Sequence, residues 1–170
     1  MSAVTRPDVA GLVASLSERG LSLAIAESLT GGLVIAEFAA IAGVSDVLNG
    51  GVVAYNTEIK HTLLGVDRQL LAEHGPVHPQ VAAHMATGVR TAMAIAGVPA
   101  RVGLATTGVA GPGAHDGCAA GTVYLAVAID DEVTVMLRQL VGSRSEVRAQ
   151  SVVEILVLLR SQLDFTEGRT

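Results

Sequence analysis

The sequence predicts an α/β domain: a three-layer α/β/α sandwich whose mostly parallel, mixed sheet ends in an antiparallel C-terminal hairpin. Two patterns carry this expectation: helix-period and strand-like runs alternate through the first hundred residues, and two β-rich runs near the C-terminus are separated only by Asp130 and Asp131. Composition adds a third. Half of the residues are hydrophobic but only 2% are aromatic and none is Trp, so the core is built from Ala, Val, Leu and Ile, which suits closely packed helices and parallel strands. The 170 residues fit one domain over 1–170, with a core large enough to need no staple.

In "PDVAGLVASLSERG", apolar residues at 9, 12, 13 and 16 predict an amphipathic helix that starts near Pro7 and Asp8 and stops at Gly20. "LSLAIAE" then reads as a strand, "TGGLVIAEFAAIAG" as a helix, "GGVVAY" as a second strand and "TEIKHTLLG" as a short helix. Val81, Met85, Val89, Met93 and Ala96 lie at helical spacing over 79–97, where Gly97 and Pro99 end the run. "RVGLATTG" is the third strand; "TVYLAVAID" and "EVTVMLRQLV" form the hairpin. The last helix opens at "SRSE", where Ser143 and Glu146 have capping-box spacing.

Several classes are excluded. A net charge of −5 without a Lys/Arg-rich run argues against a nucleic-acid surface. No stretch reaches the roughly 18 uncharged apolar residues of a membrane helix, and the N-terminus is not a signal peptide, so the expected location is the cytoplasm. Cys118 is the only cysteine, which rules out an internal disulfide framework. The five histidines lack metal-ligand spacing, and GxSxG, HExxH and P-loop motifs are missing, so neither a metal nor a cofactor is expected.

Chemistry gathers in three polar segments at strand ends: Glu27 to Gly32, Tyr55 to Lys60, and Thr106 to Gly113. In open α/β sheets ligands bind beyond the carboxyl ends of parallel strands, so parallel neighbours would line all three along one edge. Ser28 is placed to attack a carbonyl, although Ser28 or Thr30 is equally placed as a helix N-cap. Gly31 and Gly32 admit either a close ligand or close helix packing. Glu27 orders the turn or serves as an acid or base.

Lys60 falls in the first turn of a helix capped by Asn56 or Thr57, where the macrodipole disfavours an ammonium. Lowering a lysine pKa from about 10.4 toward 7 to 8 takes on the order of 4 kcal/mol, and burial and the helix end both push that way. The alternative is a solvated lysine paired with Glu58. Tyr55, ending an apolar strand, is as consistent with the core as with a site. "TTGVAGPG", containing Thr107, Gly108, Ala110 and Gly111, is a candidate backbone cradle. Arg144 and Arg148, at i and i+4 in the first turn of the last helix, suit a phosphate, an internal pair with Glu146 or a subunit contact.

Together, "AESLTGG", "GGVVAYNTEIKHTLLGV", "TGVAGPG", "GTVYLA" and "GSRSEVR" resemble the CinA C-terminal domain family, which includes nicotinamide-nucleotide amidases of the PncC type. The resemblance runs from about residue 8 to 160. It implies an α/β/α domain that deamidates nicotinamide mononucleotide to nicotinate mononucleotide and ammonia without a metal, in pyridine-nucleotide salvage. It further implies Ser28 as nucleophile, Lys60 as base and then proton donor, and Tyr55 in proton transfer or in orienting the lysine. Backbone N–H groups near Thr30 and Gly31 would hold the oxyanion, the 107–113 loop would contact the nucleotide, and Arg148, more than Arg144, would meet its phosphate. Glu27 and Gly32 fall within the same binding set. A stand-alone homo-oligomer, dimer or higher, is implied as well. The chain departs from the family pattern at Cys118, Ala119 and Ala120, where Lys-Pro-Val is usual, and at Gly142, Ser143 and Arg144, where Gly-Asp-Arg is common. The alternatives are a non-catalytic nucleotide-binding or interaction module, and an amidase of another small amide.

Overall fold

A computed structural model describes residues 8–168. Its elements are α1 (Val9–Glu18), β1 (Leu23–Glu27), α2 (Leu33–Ala39), a 3₁₀ turn (Val44–Asp46), β2 (Leu48–Val53), α3 (Thr57–Thr62), α4 (Arg68–His74), α5 (Pro79–Ala92), β3 (Val102–Gly108), β4 (Thr122–Ile129), β5 (Glu132–Gln139) and α6 (Arg144–Glu167). The sheet order is β2-β1-β3-β4-β5. The first three strands are parallel and the last two pair antiparallel, β4 against β3 and β5 against β4. The expected fold class stands.

The strands sort their side chains by size. Leu23, Ile25, Val102, Leu104, Val123, Leu125 and Val127 face one way and pack with Leu12, Leu16, Phe38, Ile155 and Leu159 of α1, α2 and α6. Ala24, Ala26, Ala105, Ala126 and Ala128 face the other way and pack with Val81, Met85, Ala86 and Val89 of α5. Period-2 alternation makes this possible, because neighbouring residues of a strand point to opposite faces. The small face lets α5 come very close: a Cβ on Gly103 would stand 1.9 Å from Ala86 O; away from the sheet, one on Gly88 of α5 would stand 1.8 Å from Leu64 O in the α3–α4 connection.

Several boundaries differ from expectation. The helix read over 79–97 ends at Ala92, with Met93 as its C-cap; Ile95 and Val98 form a small bridge, and Ala96 has φ 50°. Arg90 causes this stop, since its carbonyl accepts Ala100 N–H at 3.0 Å while its Nε donates to Ala100 O at 2.7 Å. Helix α4 goes beyond the sequence pattern, although Asp67 caps it by accepting Leu70 N–H at 2.7 Å. The capping box of Ser143 and Glu146 forms as expected. Pro7 lies outside the described residues. No described helix is long and apolar enough to cross a membrane.

The tight α5–β3 contact yields a stability prediction. Gly103→Ala should destabilise the fold by about 2 kcal/mol or more, because the clash is with backbone that cannot swing aside. Gly113→Ala, where a Cβ meets nothing within 4 Å, should change stability by less than about 0.5 kcal/mol. Urea unfolding midpoints of both variants check this.

Candidate active site

The three polar segments converge as the parallel order requires. Ser28 N–H donates to Thr106 O at 2.9 Å, extending the β1–β3 ladder by one residue before the chain turns. Gly31 and Gly32 then take φ of 60° and 99°, a left-handed pair that only glycine adopts readily. Neither Ser28 nor Thr30 caps α2. Gly32 occupies the cap position, and the buried Glu27 carboxylate does the capping, with Oε2 accepting Gly32 N–H at 2.9 Å and Val34 N–H at 3.1 Å, and Oε1 accepting Ile35 N–H at 2.8 Å. Thr30 is buried too, its hydroxyl 2.7 Å from that of Thr106. Glu27, Thr30 and Gly32 therefore build the turn and lie outside the cavity wall. The Ser28 hydroxyl is left to other partners.

That partner is Lys60. Its Nζ lies 3.1 Å from Ser28 Oγ and donates to Ala54 O at 2.7 Å and Tyr55 O at 3.4 Å. The side chain is 1% exposed and has no carboxylate within salt-bridge distance among the described residues. Burial alone pushes its pKa down to about 8. Asn56 caps α3, but the helix is only six residues long, so desolvation, more than the macrodipole, tunes the amine. Glu58 is engaged elsewhere, by Arg68 at 2.7 and 3.1 Å. The solvated-lysine alternative fails on both counts.

Beside Ser28 and Lys60 opens a cavity of about 390 Å³, lined by Tyr55, Thr107, Gly108, Ala110, Gly111 and Arg144 among the anticipated residues. Tyr55 is 59% exposed, well outside the core. Its hydroxyl accepts from Arg144 at 2.7 Å, and the same guanidinium reaches Gly111 O at 3.0 Å. Tyr55 thus touches Lys60 through its backbone carbonyl, not its ring. Thr107 Oγ donates to Pro76 O at 2.7 Å, which ties the end of β3 to the segment before α5.

Arg148 is placed differently from its expected role. It does not line the cavity; its guanidinium is committed to Leu29 O and Thr30 O, both at 2.9 Å. The backbone N–H groups expected to hold an oxyanion are disposed differently as well. Gly31 N–H is taken by Ser28 O at 3.2 Å and Thr30 is sealed from solvent, whereas Leu29 lines the cavity and its N–H bonds to no described residue. Thr57, which the sequence offers only as a helix cap, also lines the cavity, together with Pro76, Val77 and His115, to which sequence reasoning gives no role. His115 sits in a small closed loop where its N–H and carbonyl pair with those of Cys118, both at 2.9 Å, and the Cys118 thiol leans on Val77 O at 3.7 Å. Only the Gly-rich composition of 108–121 hints at His115, and nothing in the sequence hints at Pro76 and Val77. Among the described residues, no three His, Cys, Asp or Glu side chains converge.

Comparison with known proteins matches the CinA C-terminal domain to residues 8–163. The chain belongs to the CinA C-terminal domain family. Among curated proteins it is 41% identical to a CinA-like protein of Frankia casuarinae over 148 residues, which are 87% of this chain and 33% of that one. A CinA-like protein of Acidobacterium capsulatum is 40% identical over 87% of this chain and 35% of its own length. The chain thus spans about a third of the length of these curated relatives. Among solved structures, a CinA superfamily protein of Klebsiella pneumoniae superposes with a TM-score of 0.84 at 32% identity, covering 94% of this chain and 99% of that one. A competence/damage inducible protein of Agrobacterium tumefaciens gives 0.83 at 30% identity, covering 96% and 99%.

The buried amine in this CinA domain makes stability depend on pH in a defined direction. Below about pH 8 Lys60 is charged in both states, and the folded state bears the full desolvation penalty. From 8 to the ordinary value of 10.5 the unfolded chain holds a proton that the folded chain has released, so stability rises; above that the penalty is gone. Lys60→Met should therefore be about 1–3 kcal/mol more stable than wild type at pH 7. The gap should close between pH 8 and 10.5, as read by denaturant unfolding at stepped pH.

Proposed function

We propose that this domain is an amidohydrolase that deamidates nicotinamide mononucleotide to nicotinate mononucleotide and ammonia. One observation carries the proposal: a buried amine with its pKa lowered to about 8 lies 3.1 Å from a serine hydroxyl at the edge of a cavity. A neutral lysine near working pH is a competent general base, and a serine hydroxyl needs one to become a nucleophile.

In this mechanism neutral Lys60 takes the proton of Ser28 Oγ as that oxygen bonds to the carboxamide carbon. The carbonyl oxygen becomes an oxyanion, for which Leu29 N–H is the available donor beside the nucleophile. Collapse of the tetrahedral adduct breaks the C–N bond, and Lys60 returns the proton to the departing nitrogen, releasing ammonia and leaving an acyl-serine. Water deprotonated by Lys60 then cleaves the ester and restores Ser28.

Arg144, in the cavity wall beside Gly111 and Tyr55, is the cation suited to the ribose phosphate. Thr107, Gly108, Ala110 and Gly111 shape the surface against which the nucleotide would lie. Tyr55 spans the two regions: its carbonyl holds Lys60 while its hydroxyl holds Arg144.

Ammonia release from nicotinamide mononucleotide is the direct assay. Ser28→Ala should lower it at least about 10³-fold; release equal to that of wild type would remove Ser28 as nucleophile. The rate should climb with pH through an apparent pKa near 8, because the base form of Lys60 is the active one. A profile that is flat from pH 6 to 10 would remove Lys60 as the base. A panel of amides with and without the ribose phosphate identifies the substrate that the cavity selects.

A further inference from the structure

Just outside the cavity, Arg148 grips the turn that carries Ser28. Its Nε donates to Leu29 O and a terminal nitrogen to Thr30 O, both at 2.9 Å, so one rigid fork engages two successive peptide units. Because each peptide is planar and trans, holding the Leu29 and Thr30 carbonyls also fixes the directions of the Thr30 and Gly31 N–H groups, and Gly31 N–H in turn donates at 3.2 Å to Ser28 O, the carbonyl on the same peptide unit as Leu29 N–H. Gly31 completes the fit, since a Cβ there would come within 3.3 Å of the guanidinium. The anchor of this fork is firm. Arg148 lies one turn into α6, beyond a complete capping box at Ser143 and Glu146, between the buried Val147 and Ser151.

The other restraints act at the ends of the turn and, within it, through the Thr30 hydroxyl, 2.7 Å from that of Thr106, and through Gly31 N–H, which donates to Ser28 O. Glu27 holds the N–H groups of residues 32, 34 and 35, and Ser28 N–H is held by Thr106 O. Between them, the carbonyls of Leu29 and Thr30 are fixed by Arg148, the second also accepting Leu33 N–H at a longer 3.4 Å. These two peptides lie one and two units beyond the Ser28–Leu29 peptide, next to the residue whose hydroxyl meets Lys60.

We propose that Arg148 is a positioning residue for the nucleophile, its fork on the Leu29 and Thr30 carbonyls keeping Ser28 Oγ against Lys60 and Leu29 N–H turned toward the developing oxyanion. This rests on Ser28 being the nucleophile. The two arginines at the start of α6 thereby differ in what they hold, since Arg144 faces the cavity and Arg148 braces the reactive turn from behind.

The test follows the rate at which a fluorophosphonate labels Ser28 in the full chain, with the modified residue identified by peptide mapping. The probe carries no nucleotide, so labelling is independent of substrate choice. Arg148→Met should label about 10- to 100-fold more slowly, as expected for a nucleophile displaced by about an ångström. Arg148→Lys, with one point of attachment, should fall between that variant and wild type. Arg138→Met removes another tether of α6, the 2.7 Å contact of Arg138 Nε with Glu154, without touching the turn, and should label at the wild-type rate. Wild-type labelling in either Arg148 variant would overturn the proposal. So would equal slowing in Arg138→Met, because the effect would then be a general loosening of α6. Should Arg148→Met not fold, the Arg148→Lys rate decides. Wild type that resists labelling at Ser28 would instead remove the nucleophile reading beneath the proposal.

Discussion

Two buried ionisable groups at the end of β1 are kept from pairing with each other, and the site depends on that separation. The Glu27 carboxylate is satisfied by three backbone N–H groups of the turn and α2, and the Lys60 amine by two backbone carbonyls and the Ser28 hydroxyl. Had the carboxylate reached the amine, the nearby charge would have favoured the ammonium and raised the pKa that burial lowers. Peptide dipoles accommodate each group without an opposite charge beside it. The result is a carboxylate that builds and an amine left able to exchange a proton near neutrality.

The uneven sheet makes this arrangement possible. Leucine, isoleucine and valine fill the space beneath α1, α2 and α6, whereas alanines and Gly103 on the reverse face bring α5 almost onto the strands. Such close packing anchors the segment before α5, whose Pro76 carbonyl receives Thr107 and whose Val77 carbonyl receives the Cys118 thiol. One cavity wall is therefore set by the small face of the sheet. The other is set by α6, through Arg144 and Arg148.

How much of this is legible in the sequence depends on distance along the chain. The parallel strands, the terminal hairpin and the convergence of three strand ends follow from alternation and turn chemistry, which are local. Ser28 and Lys60 stand out through local position, Ser28 between a strand and a helix and Lys60 in the first turn of another helix, although an N-cap and a solvated lysine fit the same pattern. Longer-range features are hidden. Glu27 looks like a ligand contact because nothing in "AESLTGG" reveals that its side chain folds forward onto N–H groups up to eight residues on. Arg144 and Arg148 share one helix face in the sequence pattern, yet a single helical turn places one at the cavity and the other behind the Ser28 turn. Helix α4 escapes notice because its seven residues contain too few apolar repeats to announce a period. Periodicity overestimates the reach of 79–97 because it cannot register the side-chain contact from Arg90 to Ala100 that closes the chain early.

Ser28 and Lys60 are joined to different cores of the molecule. The Ser28 turn leads into α2, whose Val34 and Phe38 lie in the leucine-rich core, while Lys60 sits between Ala54 and Leu64, which lie in the alanine-rich core on the opposite face. The 3.1 Å contact between them is therefore a gauge of how the two cores are registered across the sheet. Any slip of one layer against the other lengthens this contact. The geometry of the Ser28–Lys60 pair is thus sensitive to shear between the layers, and the stiffness of the strands sets its tolerance.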